Sequence, residues 1–423
     1  MYFGLWIAGT SLVSDLRIEV VRYHPPLKIF IMPDVCLYFQ VHQPHRLAAA
    51  APGQPPYEDD ALNREILNRI ADKCYLPANA MFKKRIEESK GLFRMAMSLS
   101  GTVIEQFRRF RPDVLESFQE LVSTGGVELL AETYYHSLAF VYSEKEFQRQ
   151  VDMHLDLMED CFSVRPKVFR NSELIYNNAI AAKAETLGFE GVIAEGTPAF
   201  TGSHSPNYVY RAPDTARIKT LLRNHTLSND LAFRFSDPSW GGYPLTWEKF
   251  TTWVGQSPGD IVNLFMDYES IGEHQKLEQG IYEFWRKVPE ILIESGSQWV
   301  TPAEAVAIYP AKHEYDCAKV TSWADAERDL SAWTGNAMQK EALAAISSLG
   351  EKVIATGDDA LIDTWGRLQS SDHLYWMSTK GGADGQVKNY FSPYKNAEEA
   401  HRIFMAALGD LRKQLGVPAA MEK

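Results

Sequence analysis

Short runs of β-branched and aromatic residues recur along this chain, each stopping on polar side chains before a helix-like stretch, and this alternation restricts the fold more than any other feature. The runs are VCLYFQVHQPH from Val35, LFRMAMSLSG from Leu92, VELLAETYYH from Val127, KVFRNSEL from Lys167, GVIAEG from Gly191 and DIVNLFMDYES from Asp260. Between them lie amphipathic segments, of which Ser143 to Phe162 is the clearest. There Phe147, Val151, Leu155, Met158 and Phe162 recur at helical spacing, and Ser143 with Glu146 has the spacing of a capping box. Strands alternating with helices imply parallel pairing through crossover connections, with strands apolar throughout because both faces are covered. The expectation is an α/β barrel, whose polar groups converge at the carboxyl ends of the strands.

Bulk properties narrow the partners. The chain has 423 residues and 45% hydrophobic composition, enough for a large core. Its 43 basic and 55 acidic residues leave a formal charge of -12, so nucleic acid and anionic membrane surfaces are not expected partners. Cys36, Cys74, Cys161 and Cys317 form neither a CxxC pair nor a disulfide framework, which fits a reducing cytoplasm. No apolar run reaches the length of a bilayer span. Residues 1–31 begin with an apolar stretch that no Lys or Arg precedes, and they read as an N-terminal extension. Residues 32–308 carry the strand–helix alternation, whereas 309–423 turn helical in AERDLSAWTGNAMQKEALAAISSLGEKVIA and NAEEAHRIFMAALGDLRKQL.

Two carboxylates have the strongest chemical claim, Glu173 in FRNSEL and Asp267 in FMDYES, each at the polar end of an expected strand. Cleavage of a glycosidic bond needs such a pair, one protonated to assist the leaving oxygen and one ionised on the opposite face. Sugar recognition uses planar hydrogen-bonding groups and aromatic faces, and the other strand ends supply them. His42 and Gln43 stand in HQPH, Glu128 and His136 in GVELLAETYYH, Arg170 beside Glu173, and Glu269 beside Asp267. Trp323, Asp372, His373 and Trp376 add to the set from TSWAD and QSSDHLYW. The bland alternative has Glu173 paired with Arg170 and Asp267 capping a helix. A metal site built from Asp267, Glu269, Glu273 and His274 is a weaker rival, because no HxH or HExxH pattern accompanies them. No metal and no cofactor are expected.

FQVHQPHRL, GVELLAETYYHS, VFRNSEL, FMDYESIGEHQ and QSSDHLYWMSTK, in that order, resemble the five successive regions of glycoside hydrolase family 57. The resemblance is nearest to the α-amylase branch and runs from Val35 to Tyr394. It implies an incomplete seven-stranded (β/α)7 TIM-like barrel followed by a helical C-terminal region that completes the cleft. It also implies a retaining mechanism with Glu173 as nucleophile and Asp267 as general acid/base, and sugar contacts from His42 and Glu128. The substrate implied is an α-1,4-glucan such as glycogen, starch or maltodextrin. A 4-α-glucanotransferase or branching enzyme, which shares the covalent intermediate, and a non-catalytic carbohydrate-binding protein stay open. Departures such as NSEL for NTEL and MDYES for MDYET bear on substrate preference and leave both carboxylates in place.

Overall fold

In the computed structural model, which describes residues 32–49 and 55–417, the strands are β1 (Asp34–Val41), β2 (Met95–Leu99), β3 (Val127–Leu129), β4 (Val168–Arg170), β5 (Gly191–Glu195), β6 (Val209–Arg211), β7 (Lys219–Arg223), β8 (Ile261–Asp267) and β9 (His313–Glu314). The expected extension, residues 1–31, lies outside the described residues. Two sheets form, ordered β3-β2-β1-β8 and β4-β5-β7-β6-β9. They join where Ala131 N donates to Val168 O at 3.0 Å and Arg170 N to Ala131 O at 2.8 Å, a parallel bridge continuing β3 onto β4. On the far side the ring closes without a regular ladder. Asn224 N donates to Asn263 O at 2.8 Å, the Asn263 side-chain amide donates to Leu222 O at 2.9 Å, and Arg223 Nε donates to Phe265 O at 2.7 Å. Side chains thus satisfy the backbone edge between β7 and β8 that an eighth strand would have covered. The result is an incomplete barrel of seven parallel strands, β1, β2, β3, β4, β5, β7 and β8.

The period of two along each strand sorts the residues. Cys36, Tyr38, Ala96, Leu130, Val168, Ile193, Leu221, Ile261 and Phe265 pack together inside the ring. Alternate positions such as Leu37, Phe39, Met97, Val262 and Leu264 face outward under the helices. Ala305 and Val306 join the inner cluster, so the helix Pro302–Ile308 plugs the barrel at the amino ends of its strands. At the carboxyl ends the same inward positions turn polar: Gln40, Ser98, Arg170, Glu195, Arg223 and Asp267.

Two sequence expectations need correction. The strand β7 went unread, because KTLLR begins and ends on a cation and spans only Lys219–Arg223. Pairing is not purely parallel, since β6 runs antiparallel to β7 and carries the sheet outward to β9. Within residues 309–423, β9 and turns occupy the chain up to Leu330, and the expected helices begin at Ser331–Thr334 and Ala337–Ser347. The expected helix does form over Glu144–Phe162, with Ser143 Oγ accepting from Glu146 N at 3.2 Å. Such a cap stabilises a helix by about 1 kcal/mol. The reciprocal half of the box is absent, because the Glu146 carboxylate instead receives Arg149, Gln150 and Gln369.

Later helices, Asp359–Leu368, Ser371–Tyr375 and Ala397–Gln414, share a core with the outer faces of β4 and β5, whereas Gly382–Phe391 lines the cleft. Ser371–Tyr375 is tied directly to the barrel mouth, where Ser371 N donates to His136 O at 3.0 Å. The described residues form one compact unit.

Candidate active site

A cleft of about 1030 Å³ opens over the polar ends of the strands. Glu173 and Asp267 both line it, with His42, His136, Trp323 and Asp372. Glu173 follows β4 in a short turn, Ser172–Leu174, and its backbone is left-handed at φ 59°. A non-glycine residue is strained there, at a cost on the order of 1 kcal/mol or more, and such strain persists only where the surroundings hold it. The carboxylate is held by three donors. His136 Nε2 stands 3.2 Å and Ser371 Oγ 3.0 Å from Oε1, and Trp323 Nε1 donates to Oε2 at 2.9 Å. Burial pushes this carboxyl up, but the His136 hydrogen bond and the positive charges of His136 and Arg170 outweigh it and hold the group below the ordinary glutamate value.

Asp267 ends β8, in register with Gln40 of β1, and its side chain makes no hydrogen bond among the described residues. Burial and then the Glu173 charge push its carboxyl up to about 6, against smaller opposing effects of Arg170, His136 and Arg223. The two carboxyls facing the cleft are therefore driven in opposite directions.

The remaining expected residues divide. His42 bonds Ser100 Oγ at 2.7 Å and Asp372 Oδ2 at 2.9 Å, and its ring stacks on that of His136 with centroids 4.0 Å apart. Burial, then the His136 charge, lowers the pKa of His42. The Asp372 carboxyl lies well below its usual range because the His42 charge and hydrogen bond outweigh burial. Gln43 Nε2 donates to Glu269 Oε1 at 3.2 Å, and Tyr75 OH donates to the same oxygen. Burial and the charge of Asp267 push Glu269 up to about 8, so it is mostly protonated at neutral pH.

Trp323 and Trp376 both line the cleft, but Trp376 is almost fully buried against His373 and Tyr394. The Trp323 ring lies beneath the Arg170 and Arg223 guanidinium groups, 5.1 and 5.8 Å from its centroid. Arg170 is buried behind the lining and pairs with Glu132 at 3.7 Å; no hydrogen bond joins it to Glu173.

Glu128 and His373 are not brought to the cleft. Glu128 points to the barrel's amino end, where its carboxylate accepts from Ala303 N at 2.8 Å in the plug helix. His373 is buried against Phe404, with Nε2 facing Arg367 O at 3.3 Å. The groups of the 267–274 stretch do not converge on a cation. Glu273 binds Arg69 at 3.0 Å, His274 Nδ1 faces Tyr390 OH at 3.2 Å, and a Cβ on Gly272, whose φ is 97°, would collide with the Lys73 carbonyl. Among the described residues, the carboxylates close enough to share a cation are Asp325, Glu327 and Asp384, and Lys380 Nζ already stands 2.8 and 2.7 Å from the first two.

Motif reading missed Glu132, Tyr75, Arg223 and Ser371. Glu132 was within reach of the period-two rule, four residues beyond Glu128 on the same face. Tyr75 had no such signal, because it comes from a helical segment between β1 and β2.

Comparison with known proteins identifies the family and the fold. The sequence pattern of glycosyl hydrolase family 57 matches residues 36–318. A protein of Methanocaldococcus jannaschii named "Putative alpha-amylase" is 40% identical over 390 residues, covering 88% of this chain and 82% of that one. A branching enzyme of Pyrococcus horikoshii has a similar fold, with TM-score 0.66, 14% identity and coverage of 91% of this chain and 95% of the other. The 4-alpha-glucanotransferase of Thermococcus litoralis gives TM-score 0.64 at 12% identity over 91% of this chain, which spans 60% of that longer protein.

Proposed function

The chain belongs to glycosyl hydrolase family 57 and is a glycosidase, and on that premise we propose that it cleaves α-1,4-glucans, such as glycogen, starch or maltodextrin, with retention of anomeric configuration. One observation carries the mechanism: the opposite bias on Glu173, favoured ionised, and Asp267, whose proton is retained to about pH 6. Pairs of carboxyls pushed apart in this way divide the roles of base and acid between them.

Glu173 attacks the anomeric carbon while Asp267 gives its proton to the glycosidic oxygen, so the bond to the leaving sugar breaks as the bond to Glu173 forms. Glycosylation removes the Glu173 charge, and the pKa of Asp267 falls with it. Ionised Asp267 then takes a proton from water, and the water oxygen displaces Glu173 from the sugar. His42, Gln43, Asp372 and Glu269 hold sugar hydroxyls in this reading. Trp323 spends its indole N–H on Glu173 and thereby orients the nucleophile. The barrel, residues 32–308, supplies both catalytic carboxyls, and residues 309–423 complete the cleft through Trp323, Ser371, Asp372 and Trp376. Four free, buried cysteines support a cytoplasmic location.

Transfer to a sugar acceptor, as in a 4-α-glucanotransferase or branching enzyme, is the second reading. Phe233, Tyr390 and Phe391 favour it, since they line the cleft with rings 55%, 58% and 38% exposed, available to stack on an acceptor. Incubation of the purified protein with maltooligosaccharides, followed by chain-length analysis and NMR of the first-formed anomer, tests both. Short products of α configuration are expected; longer oligomers indicate transfer, new α-1,6 linkages branching, and β products overturn retention. An unchanged substrate would leave only glucan binding.

A further inference from the structure

Both ring nitrogens of His136 face carboxylate oxygens. Nδ1 lies 2.9 Å from Glu132 Oε2, and Nε2 lies 3.2 Å from Glu173 Oε1. An ionised carboxylate only accepts hydrogen bonds, and a neutral imidazole carries one N–H. Two such contacts are satisfied together only by the imidazolium. Glu132 is wholly buried, and the His136 and Arg170 groups beside it favour its charged form. Gln40 Nε2 donates to Oε1 at 3.0 Å, Arg170 Nη1 stands 3.7 Å from Oε2, and Gln40 is itself fixed through its Oε1 by Tyr38 OH at 2.8 Å and Ser98 Oγ at 2.9 Å. The Glu132 backbone is anchored as well, its N–H donating to His154 Nδ1 at 3.4 Å, while His154 Nε2 bonds Leu99 O at 2.9 Å.

We propose that Glu132 is a positioning residue for the reaction: acting through His136, it keeps that ring doubly protonated and aimed, so that Nε2–H holds Oε1 of the Glu173 nucleophile. The backbone supports this role, because the two hydrogen-bonded partners His136 and Glu173 are both left-handed, at φ 53° and 59°. Strain retained at two linked residues is understandable where their mutual geometry matters. The charged groups around His136 are Glu132 on its own segment, Glu173 and Arg170 from the β4 segment, the stacked His42 from the β1 end, Asp372 from Ser371–Tyr375 and Asp267 from β8. Burial opposes charge on His136, but the hydrogen bonds from Glu132 and Glu173 prevail and push its pKa up to about 9. The relay leaves Oε2 of Glu173 to the Trp323 indole, so each carboxylate oxygen is oriented from a different wall.

The inference rests on Glu173 being the nucleophile, and its test separates the two claims. With ¹⁵N-labelled histidine, and the His136 resonance assigned by its loss in His136→Gln, the wild-type ring should remain doubly protonated beyond pH 8. Glu132→Gln keeps the size of the side chain and removes its charge. It should lower the His136 titration by at least about one unit, move the acid limb of kcat/KM upward, and reduce kcat on the order of 10²-fold with KM little changed. Glu132→Asp should restore much of the imidazolium signal. A wild-type His136 that is neutral at pH 7 overturns the proposal, and this measurement decides the matter even where Glu132→Gln fails to fold. A rate loss in Glu132→Gln without a change in the His136 titration also overturns it, since Glu132 would then serve packing alone. Full activity in Glu173→Gln, with His136 of the wild-type protein titrating as expected, removes the nucleophile assignment and leaves the Glu132–His136 pair standing.

Discussion

Glu128 and Glu132 lie four residues apart on one strand segment and point to the same face, yet the barrel treats them oppositely. Four residues of strand span roughly 13 Å, enough to carry one side chain from one end of a barrel to the other. At the amino end Glu128 meets the plug helix. Burial pushes its carboxyl up to about 7, and the Thr301 and Ala303 donors only partly counter this. At the cleft end burial acts on Glu132 too, but the His136 hydrogen bond and charge, with Arg170, overcome it and drive the group down. The face a residue takes follows from its parity in the strand. The chemistry it performs follows from which end of the strand it occupies and what other segments bring there.

The sharpest way to break this contrast is to remove the carboxylates of the cleft end. Glu173→Gln and Asp267→Asn should each lower kcat on maltooligosaccharides by about 10³-fold or more, in steady-state assays of the folded variants. Glu132→Gln, one step removed from the sugar, should cost less, on the order of 10²-fold.

The pH profile provides the next test. In the proposed mechanism glycosylation requires Glu173 ionised and Asp267 protonated, so kcat/KM should fall on the alkaline side near pH 6, where Asp267 loses its proton. Because the Glu173 charge contributes to that raised value, the Asp267 carboxyl, followed by ¹³C NMR, should titrate at lower pH in Glu173→Gln. An unchanged titration would mean that burial alone sets it.

The smallest effect on turnover belongs to the other end of the strand. Glu128→Gln should leave kcat unchanged and alter stability instead. The unfolded chain ionises this carboxyl above about pH 4.3, whereas the folded chain holds the proton to about 7. The folded state binds more protons between these values, so this group's contribution to stability is lost as pH rises through that window. Because Glu128 is partly exposed, the difference in stability between pH 4 and pH 8 that Glu128→Gln removes should amount to on the order of 1 to 2 kcal/mol, read from denaturant unfolding at the two pH values. A large loss of activity in this variant would return Glu128 to the cleft.

Much of the barrel was legible because its strands obey local rules. The runs ending at Val41, Leu99, Glu195 and Asp267 are apolar, short and bounded by polar residues, and each forms a strand where expected. The strand β7 escaped because Lys219 and Arg223 disguise it. Lys219 Nζ reaches the carbonyls of Val306 and Tyr309, and Arg223 turns inward to Glu195 Oε2 at 3.0 Å, so both cations are satisfied by groups distant in sequence. Glu128 was misplaced for a related reason: its motif identifies a strand but does not say at which end the glutamate lies. The rival metal site of Asp267, Glu269, Glu273 and His274 is divided by the turn after β8, which sends Glu273 to Arg69 and His274 to Tyr390.

Sequence alone determined the alternation of strands and helices, the inward and outward faces, and the identity of Glu173 and Asp267 as the pair to watch, because periodicity and motif are properties of neighbouring residues. Tertiary structure decided that Trp323, Ser371 and His136 hold Glu173, that Asp372 orients His42, and that Glu132 rather than Glu128 stands behind the cleft. These depend on contacts between residues 37 to 330 positions apart, and the protonation of each carboxyl follows from the charges and burial that only such contacts create.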